Sequence, residues 1–178
     1  MNQKSISPKT VTISWCTDAA KTEALTQLFV MNARAEYISH SELQGPRAET
    51  PTRWRGDLAA TLREEFQATL AQDPSSADNL IAVANIDGVI AGMALISIGS
   101  PDASTPYASL DDLIVHPDYR GAGLGHQLIV WVEQQMLARG IKRLFLESGV
   151  ENHAAHRFFK THGFQAVSVV MMKELGHE

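Results

Sequence analysis

The stretch IVHPDYRGAGLGHQLI, Ile114 to Ile129, constrains the fold more than any other part of this sequence. Three glycines, Gly121, Gly123 and Gly125, fall within five positions, Arg120 stands just before them, and an apolar pattern of helical period follows. A turn of this kind joins a strand to a helix. It leaves the N–H groups of the first helical turn without intrahelical acceptors, and the helix dipole adds positive potential there. An anion, phosphate above all, is the natural ligand. The segment therefore requires a strand ending near Val115, a helix starting near Leu124, and an open face between them.

Three phosphate-binding designs compete. A nucleotide-triphosphate loop needs a lysine followed by Ser or Thr after the last glycine. Here His126 and Gln127 follow Gly125. A dinucleotide fold needs G-x-G-x-x-G directly after a strand, with an acid ending the next strand. Glu147 could be that acid, but His126 stands where the third glycine belongs, and HPDYR separates the strand from the glycines. The third design is R-x-x-G-x-G, running from Arg120 to Gly125. In it Gly123 and Gly125 would let the backbone approach an anion closely. The plain alternative is a glycine-rich helix start with no ligand.

The surrounding pattern reads β-α-α-β-β-β-α-β-α-β. VTISWCT (Val11–Thr17) has strand chemistry, and Asp18 follows as an N-cap. Leu25, Leu28, Phe29 and Tyr37 suggest one partly amphipathic helix, and SELQGPRAETP breaks the pattern. Leu58, Leu62, Phe66 and Leu70 predict a helix from about Thr52 to Ala71. Asp87-Gly88 centres a hairpin within LIAVANIDGVIAGMALISI, and YASLDDLIV is a further strand. After the glycines, Leu124, Leu128, Val132 and Met136 stripe a helix that Gly140 ends. IKRLFLES, NHAAHRFFKTH and FQAVSVVMMKEL then read as strand, helix and last strand, with Gly163 ending the helix. This order predicts an α/β fold of the α+β kind: one mixed sheet, antiparallel at first, with parallel neighbours around the glycine motif.

At 178 residues with no long linker, the chain reads as one domain that can bury a core without staples. A single cysteine, Cys16, forbids an intrachain disulfide and suits a reducing, cytoplasmic setting. MNQKSISPKT lacks the apolar region of a signal peptide. VIAGMALISI is too short to span a bilayer. A net charge of −5 argues against nucleic acid and anionic lipid as partners. His153, His156 and His162 do not have H-E-x-x-H spacing, and no cysteine or clear acid joins them, so no metal is expected.

LDDLIVHPDYRGAGLGHQLI resembles the signature strand, loop and helix of the GNAT superfamily, the acetyl-CoA-dependent N-acetyltransferases. NHAAHRFFKTHGF, Asn152 to Phe164, is similar to that family's second motif, in the right order and with room for one strand between. The chain thus looks like a small single-domain, bacterial-type member, with an acceptor-side part at about 11–100 and an acetyl-CoA part at about 105–173. The resemblance implies that the anion is the pyrophosphate of coenzyme A, held by N–H groups of Gly121, Ala122, Gly123, Leu124, Gly125 and His126, with Arg120 beside them. It implies that Leu113, Ile114 and Val115 pair with the pantetheine arm, whose two amides can complete backbone hydrogen bonds. It also implies a sheet splayed between this strand and the one at Leu144–Glu147, with the thioester in the opening and Asn152 contacting the cofactor.

N-acetylation needs a neutral amine, and an alkylamine with a pKa of about 10.4 is mostly protonated at neutral pH. A carboxylate can take the proton, directly or through water. Asp111 and Asp112 stand just before the cofactor segment, and adjacent strand residues face opposite sides, so one should face the acceptor cleft unless a bulge re-aims it. Asp111 is slightly favoured; both could instead only end a strand. Glu147 is the second candidate, with pairing to Arg143 or His153 as its plain alternative. Leu113 or Ile114 N–H is the implied donor to the carbonyl oxygen as it gains charge. The family often has a tyrosine that protonates the leaving thiolate, and here that position is Phe159. A thiol of pKa about 8.5 leaves fairly well unprotonated, and water, Ser148 or His156 could substitute.

The acceptor side would come from YISHSELQGPRAETPTRWRG and the loop GSPDASTP, with Tyr37, His40, Glu42 and Trp54 as candidate lining. The expected function is acetyl transfer from acetyl-CoA to a primary amine of a small molecule. The alternatives are an acyl-CoA-binding or sensing protein with weak catalysis, and a protein N-terminal or lysine acetyltransferase. A homodimer is left open.

Overall fold

Asp87 and Gly88 both take positive φ, 52° and 82°, so the strands β4 (Asn79–Ile86) and β5 (Val89–Ile98) join through a two-residue turn whose twist suits a hairpin. The computed structural model from which this follows describes residues 10–99 and 103–176. The N-terminal stretch read against a signal peptide, and residues 100–102 of the GSPDASTP loop, lie outside the described residues. The hairpin is the centre of a five-stranded sheet in the order β1-β4-β5-β6-β7. β1 (Val11–Trp15) pairs antiparallel with β4, and β6 (Tyr107–Val115) pairs antiparallel with β5. β7 (Arg143–Leu146) lies parallel to β6, which requires the crossover helix α4 (Leu124–Ala138).

Helices cover both faces. On one, α1 (Thr22–Val30) and α3 (Leu58–Leu70) bury Leu25, Phe29, Leu62 and Phe66 against Ile81, Met93 and Ile114. On the other, the α4 stripe of Leu124, Leu128, Val132 and Met136 is fully buried, and α5 (His153–Thr161) brings Phe158 and Phe159 beside it. Gly140, at φ 75°, ends α4, and Gly163, at φ 84°, follows α5. Asp18 accepts from Ala20 N at 2.9 Å as the expected cap of the turn into α1.

Four elements differ from the sequence reading. α1 stops at Val30, and Tyr37 sits in a separate 3-10 turn, Ala35–Tyr37, because Asn32 folds its side chain back onto Leu28 O at 2.7 Å. SELQGPRAETP is not a plain break. It carries all but the first residue of α2 (His40–Gln44), whose capping box ties Ser39 to Glu42, and β2 (Ala48–Thr50). α3 begins at Leu58 rather than near Thr52, since Arg53–Trp54 pairs with β2 as β3. The expected last strand is absent: residues 165–176 are assigned to no strand and are exposed throughout. No helix among the described residues is long and apolar enough to cross a membrane.

Candidate active site

The register of β6 creates the site. Its parallel pairing with β7 runs from Tyr107↔Arg143 to Leu110↔Leu146 and then stops, while β6 continues to Val115. The sheet therefore opens beyond Leu110, as the resemblance implies. A cleft of about 510 Å³ occupies the opening. Leu113, Ile114 and Val115 form its strand wall, and Phe158, Phe159 and Asn152 come to it from α5.

At one end of the cleft is the glycine turn. Gly121 and Gly123 adopt φ 77° and 78°, the left-handed conformation, and nothing in the protein lies within 4 Å of where a Cβ would be at either. The first intrahelical bond of α4 runs from Gln127 N to Gly123 O at 3.0 Å, so the N–H groups of residues 124–126 have no intrahelical acceptor. Free N–H groups in this arrangement at a helix N-terminus are suited to an anion. Gly125 lines the cleft and also has a packing reason to lack a side chain. It is helical, and a Cβ there would stand 3.3 Å from Phe158 Cζ, so its missing side chain admits α5. Ala122 is the one expected cradle residue that does not line the cleft.

Arg120 and His126 line the cleft, but protein groups hold their side chains. Arg120 donates to Val115 O at 3.1 Å and to the buried Asn32 Oδ1, tying the loop to the end of α1. His126 Nδ1 lies 2.8 Å from His162 Nε2, at the end of α5. Asn152 caps α5 by accepting from Ala155 N at 3.3 Å, and it also lines the cleft.

At the other end a bulge re-aims the acids. Leu95 pairs with Asp112 and Ile96 with Leu110, so Asp111 is the extra residue. The alternation of sides is broken there, and the two carboxylates do not face opposite ways. Asp111 accepts from Ser97 Oγ at 3.1 Å, and Asp112 binds Arg47 Nη1 at 2.8 Å; both feel the charges of Arg47 and Glu42. Desolvation pushes the Asp111 carboxyl up to about 6, with the Ser97 hydroxyl opposing and the Asp112 charge assisting. The residue's surface stays open to solvent while its carboxyl is crowded by protein atoms. Burial also raises Asp112, against the pull of Arg47. Arg47 itself is pulled down by burial and more than restored by Asp112 and Glu65, the latter at 2.7 Å, so it stays charged. Asp112 is thus committed to an ion network, and Asp111 is the carboxyl available to the cleft.

Glu147 lines the cleft but does not pair with Arg143 or His153. It accepts from Ser41 N at 3.1 Å and lies 3.3 Å from His40 Nδ1, fastening the start of α2 to the end of β7. His40 is therefore occupied there. Tyr37, Glu42 and Trp54 do line the cleft, Trp54 with its indole donated to Arg34 O at 3.1 Å. Glu42 is buried and holds Ser39 N at 2.8 Å.

Two residues escape sequence reasoning: Arg47, which holds the lining Asp112 from 65 positions away, and Asn32, which lines the cleft and holds Arg120 from 88 positions away, contacts for which no local signal exists. Ser148, raised in the sequence as a possible donor, carries a buried hydroxyl on the cleft with no protein partner among the described residues, next to Gly149, whose missing Cβ would stand 2.2 Å from Glu36 O. Among the described residues no group of three His, Cys, Asp or Glu is arranged to hold a metal.

The model of the acetyltransferase (GNAT) family matches residues 46–164. The chain is 26% identical over 172 residues to an amino-acid acetyltransferase from Ectopseudomonas mendocina (strain ymp), covering 90% of this chain and 36% of that protein. It therefore spans little more than a third of that curated relative's length. A crystal structure of a transcriptional regulator from Bacillus halodurans C-125 superposes with a TM-score of 0.68 at 19% identity, covering 93% of this chain and all of that one. An aminoglycoside N-acetyltransferase in complex with CoA superposes with a TM-score of 0.65 at 18% identity, covering 95% and 98%. At such identities these structures establish the shared fold.

Proposed function

Because the chain belongs to the acetyltransferase (GNAT) family, we propose that it transfers the acetyl group of acetyl-CoA to a primary amine of a small molecule, with both held in one complex. The observation that carries this reading is the cleft itself. One continuous opening joins a left-handed glycine cradle to a carboxyl whose pKa is raised to about 6. Acetyl-CoA supplies an activated acetyl thioester when bound.

The protein's part is positioning and proton transfer. N–H groups at residues 121–126 hold the pyrophosphate, and the unpaired edge of β6 at Leu113–Val115 aligns the pantetheine amides. Asp111, ionised above about pH 6, takes the proton from the acceptor ammonium, directly or through water. Leu113 or Ile114 N–H donates to the carbonyl oxygen as it gains charge. Ser148, with its buried unpartnered hydroxyl, takes over the donation to sulfur that Phe159 cannot make. Glu147 holds the acceptor-side wall through Ser41 and His40 rather than acting as a base.

A small amine is favoured because Tyr37, Glu42 and Trp54 enclose the acceptor end. The likeness to an amino-acid acetyltransferase and to the fold of an aminoglycoside N-acetyltransferase points the same way. Phe159 favours a second reading, an acyl-CoA-binding protein with weak turnover. The test is release of CoA thiol from acetyl-CoA across a panel of amino acids, polyamines and aminoglycosides, with and without Asp111→Asn. The expected result is turnover that the variant lowers by about 10²–10⁴-fold. Tight acetyl-CoA binding with no turnover on any amine would establish the second reading instead.

A further inference from the structure

Two histidines meet beside the glycine turn, and their hydrogen bonds restrict where a proton can sit. His162 Nδ1 lies 2.8 Å from Phe158 O. A carbonyl oxygen only accepts, so this Nδ1 carries a proton whether the ring is neutral or charged. Thr161 Oγ1 donates its own hydrogen to Phe158 O at 2.7 Å and does not supply it. The other nitrogen, His162 Nε2, lies 2.8 Å from His126 Nδ1, and one proton bridges the two. In the neutral pair His162 Nε2 is bare, so His126 Nδ1 donates and His126 Nε2 is bare as well. One added proton changes this. Whichever ring then carries the charge, a proton stays in the bridge and His126 Nε2 becomes a donor. A second added proton would set two N–H groups against each other at 2.8 Å, so the bridge admits one and not two.

The bridge is held from two helices. His126 belongs to the first turn of α4 and lines the cleft. His162 directly follows α5, its ring centroid 4.4 Å from that of Phe158, and Phe158 occupies the space that Gly125 leaves. The flanking elements carry Asp118 and Arg120 before α4, Glu133 on α4, and Arg157 and Lys160 on α5, and none of them bonds either ring. Arg120 is held instead by Val115 O and Asn32. The histidine–carboxylate pairs among the described residues are those of His40, His116 and His153. On its other side His126 borders a groove lined by Val11, Ile13 and Trp131, which carry no charge. No carboxylate of these elements therefore holds an added proton on the pair. An anion at the start of α4 would.

We infer that His126 and His162 form a proton-gated clamp on the cofactor: binding of the pyrophosphate draws one proton from solvent onto the pair, and His126 Nε2 then donates to a phosphate oxygen. This rests on the reading of the cleft as a coenzyme A site. His126 is the contacting residue. His162 is a positioning residue that acts through it, holding the neutral His126 in the tautomer that cannot donate to the ligand. Imidazole suits this role because it changes charge near neutral pH. The complex holds more protons than its free components, so affinity for the cofactor falls as pH rises.

Titration calorimetry in buffers of different ionisation heat counts the protons taken up per ligand bound, and it does not depend on turnover. The ligand is dephospho-CoA, which keeps the pyrophosphate but lacks the 3′-phosphate, a monoester that itself titrates at about pH 6. The protein is the full chain with Asp111→Asn, which removes the cleft carboxyl that titrates in this range. At about pH 7.5 the expected uptake is roughly 0.3–1 proton, with a Kd that rises by up to about tenfold per pH unit. Pantetheine, with the same thiol and amides and no phosphate, is expected to bind without uptake. Adding His126→Gln supplies an amide N–H that needs no extra proton, so binding is expected to persist with no uptake and a flat pH profile. Adding His162→Phe frees the neutral His126 to donate from Nε2, and uptake is expected to fall to about half or less. A purely structural His162 would move the melting temperature and not the proton count. Binding of dephospho-CoA without uptake, or uptake that either variant leaves unchanged, would overturn the inference and leave the coenzyme A reading standing. No binding of dephospho-CoA or acetyl-CoA at any concentration would overturn both.

Discussion

A carboxyl held near pKa 6 at a bulge is protonated in mildly acid solution and charged at neutral pH. If Asp111 is the base, kcat/KM for the amine rises through an acid limb at about 6 in the free enzyme. Asp111→Asn should lower kcat/KM by about 10²–10⁴-fold and remove that limb, and a pH–rate profile of both proteins checks it. The same shift has a stability consequence of definite sign. The folded value lies above the ordinary 3.8, so the native state binds the proton more tightly than the unfolded chain. This contribution weakens the fold as pH rises from about 4 to about 6 and is constant above. Denaturation of Asp111→Asn should lack that slope and be more stable at pH 8 by about 1 kcal/mol or less, since solvent screens an open residue. Arg47 behaves oppositely. Arg47→Met strands Asp112 and should cost about 3–5 kcal/mol, and adding Asp112→Leu should recover much of it. Urea titration of the single and double variants measures both, and a single variant within about 1 kcal/mol of the parent would contradict the network's role.

Among the elements, the glycine turn separates two roles that one motif conceals. Gly123→Ala forces a side chain into the left-handed region at about 1–2 kcal/mol, with open space around it, so its main effect should be a raised KM for acetyl-CoA. Gly125→Ala pushes a methyl against Phe158 and should cost about 1–3 kcal/mol by overpacking, partly relieved by Phe158→Leu. Melting curves beside acetyl-CoA titrations distinguish the two. The sequence shows the three glycines but not this division, because helical φ at Gly125 and the approach of α5 are tertiary facts. Elsewhere legibility followed the range of the forces. β4, β5 and α4 were readable because Asp87-Gly88 and the stripe from Leu124 to Met136 act locally. The bulge at Asp111 could be raised in the sequence only as an alternative, since it is a register between two strands. Not readable at all was the division of the Thr52–Ala71 helix, where pairing of Arg53–Trp54 with β2 overrides helical periodicity.

For the whole molecule, the cleft binds elements from both halves of the chain, and ligand occupancy should therefore stabilise all of it. The turn after α1 supplies Asn32, β6 the strand wall, α4 the cradle and α5 the Phe158–Phe159 pair. A ligand that binds only this assembled state adds about 2.7 kcal/mol at a concentration 100 times its Kd. For a domain of this length each kcal/mol moves Tm by about 2–4 °C, so saturating acetyl-CoA should raise it by roughly 5–10 °C. The source of the shift can be divided by ligand fragments. If the left-handed glycines and the first turn of α4 hold the pyrophosphate, CoA should retain most of the shift and pantetheine, which lacks phosphate, should lose most of it. Gly123→Ala should then reduce the shift with CoA while leaving any shift with pantetheine unchanged. A pantetheine shift equal to that of CoA would move the dominant contact from the cradle to the β6 edge. No shift with acetyl-CoA at any concentration would remove the cofactor, and with it the acetyltransferase reading of the cleft.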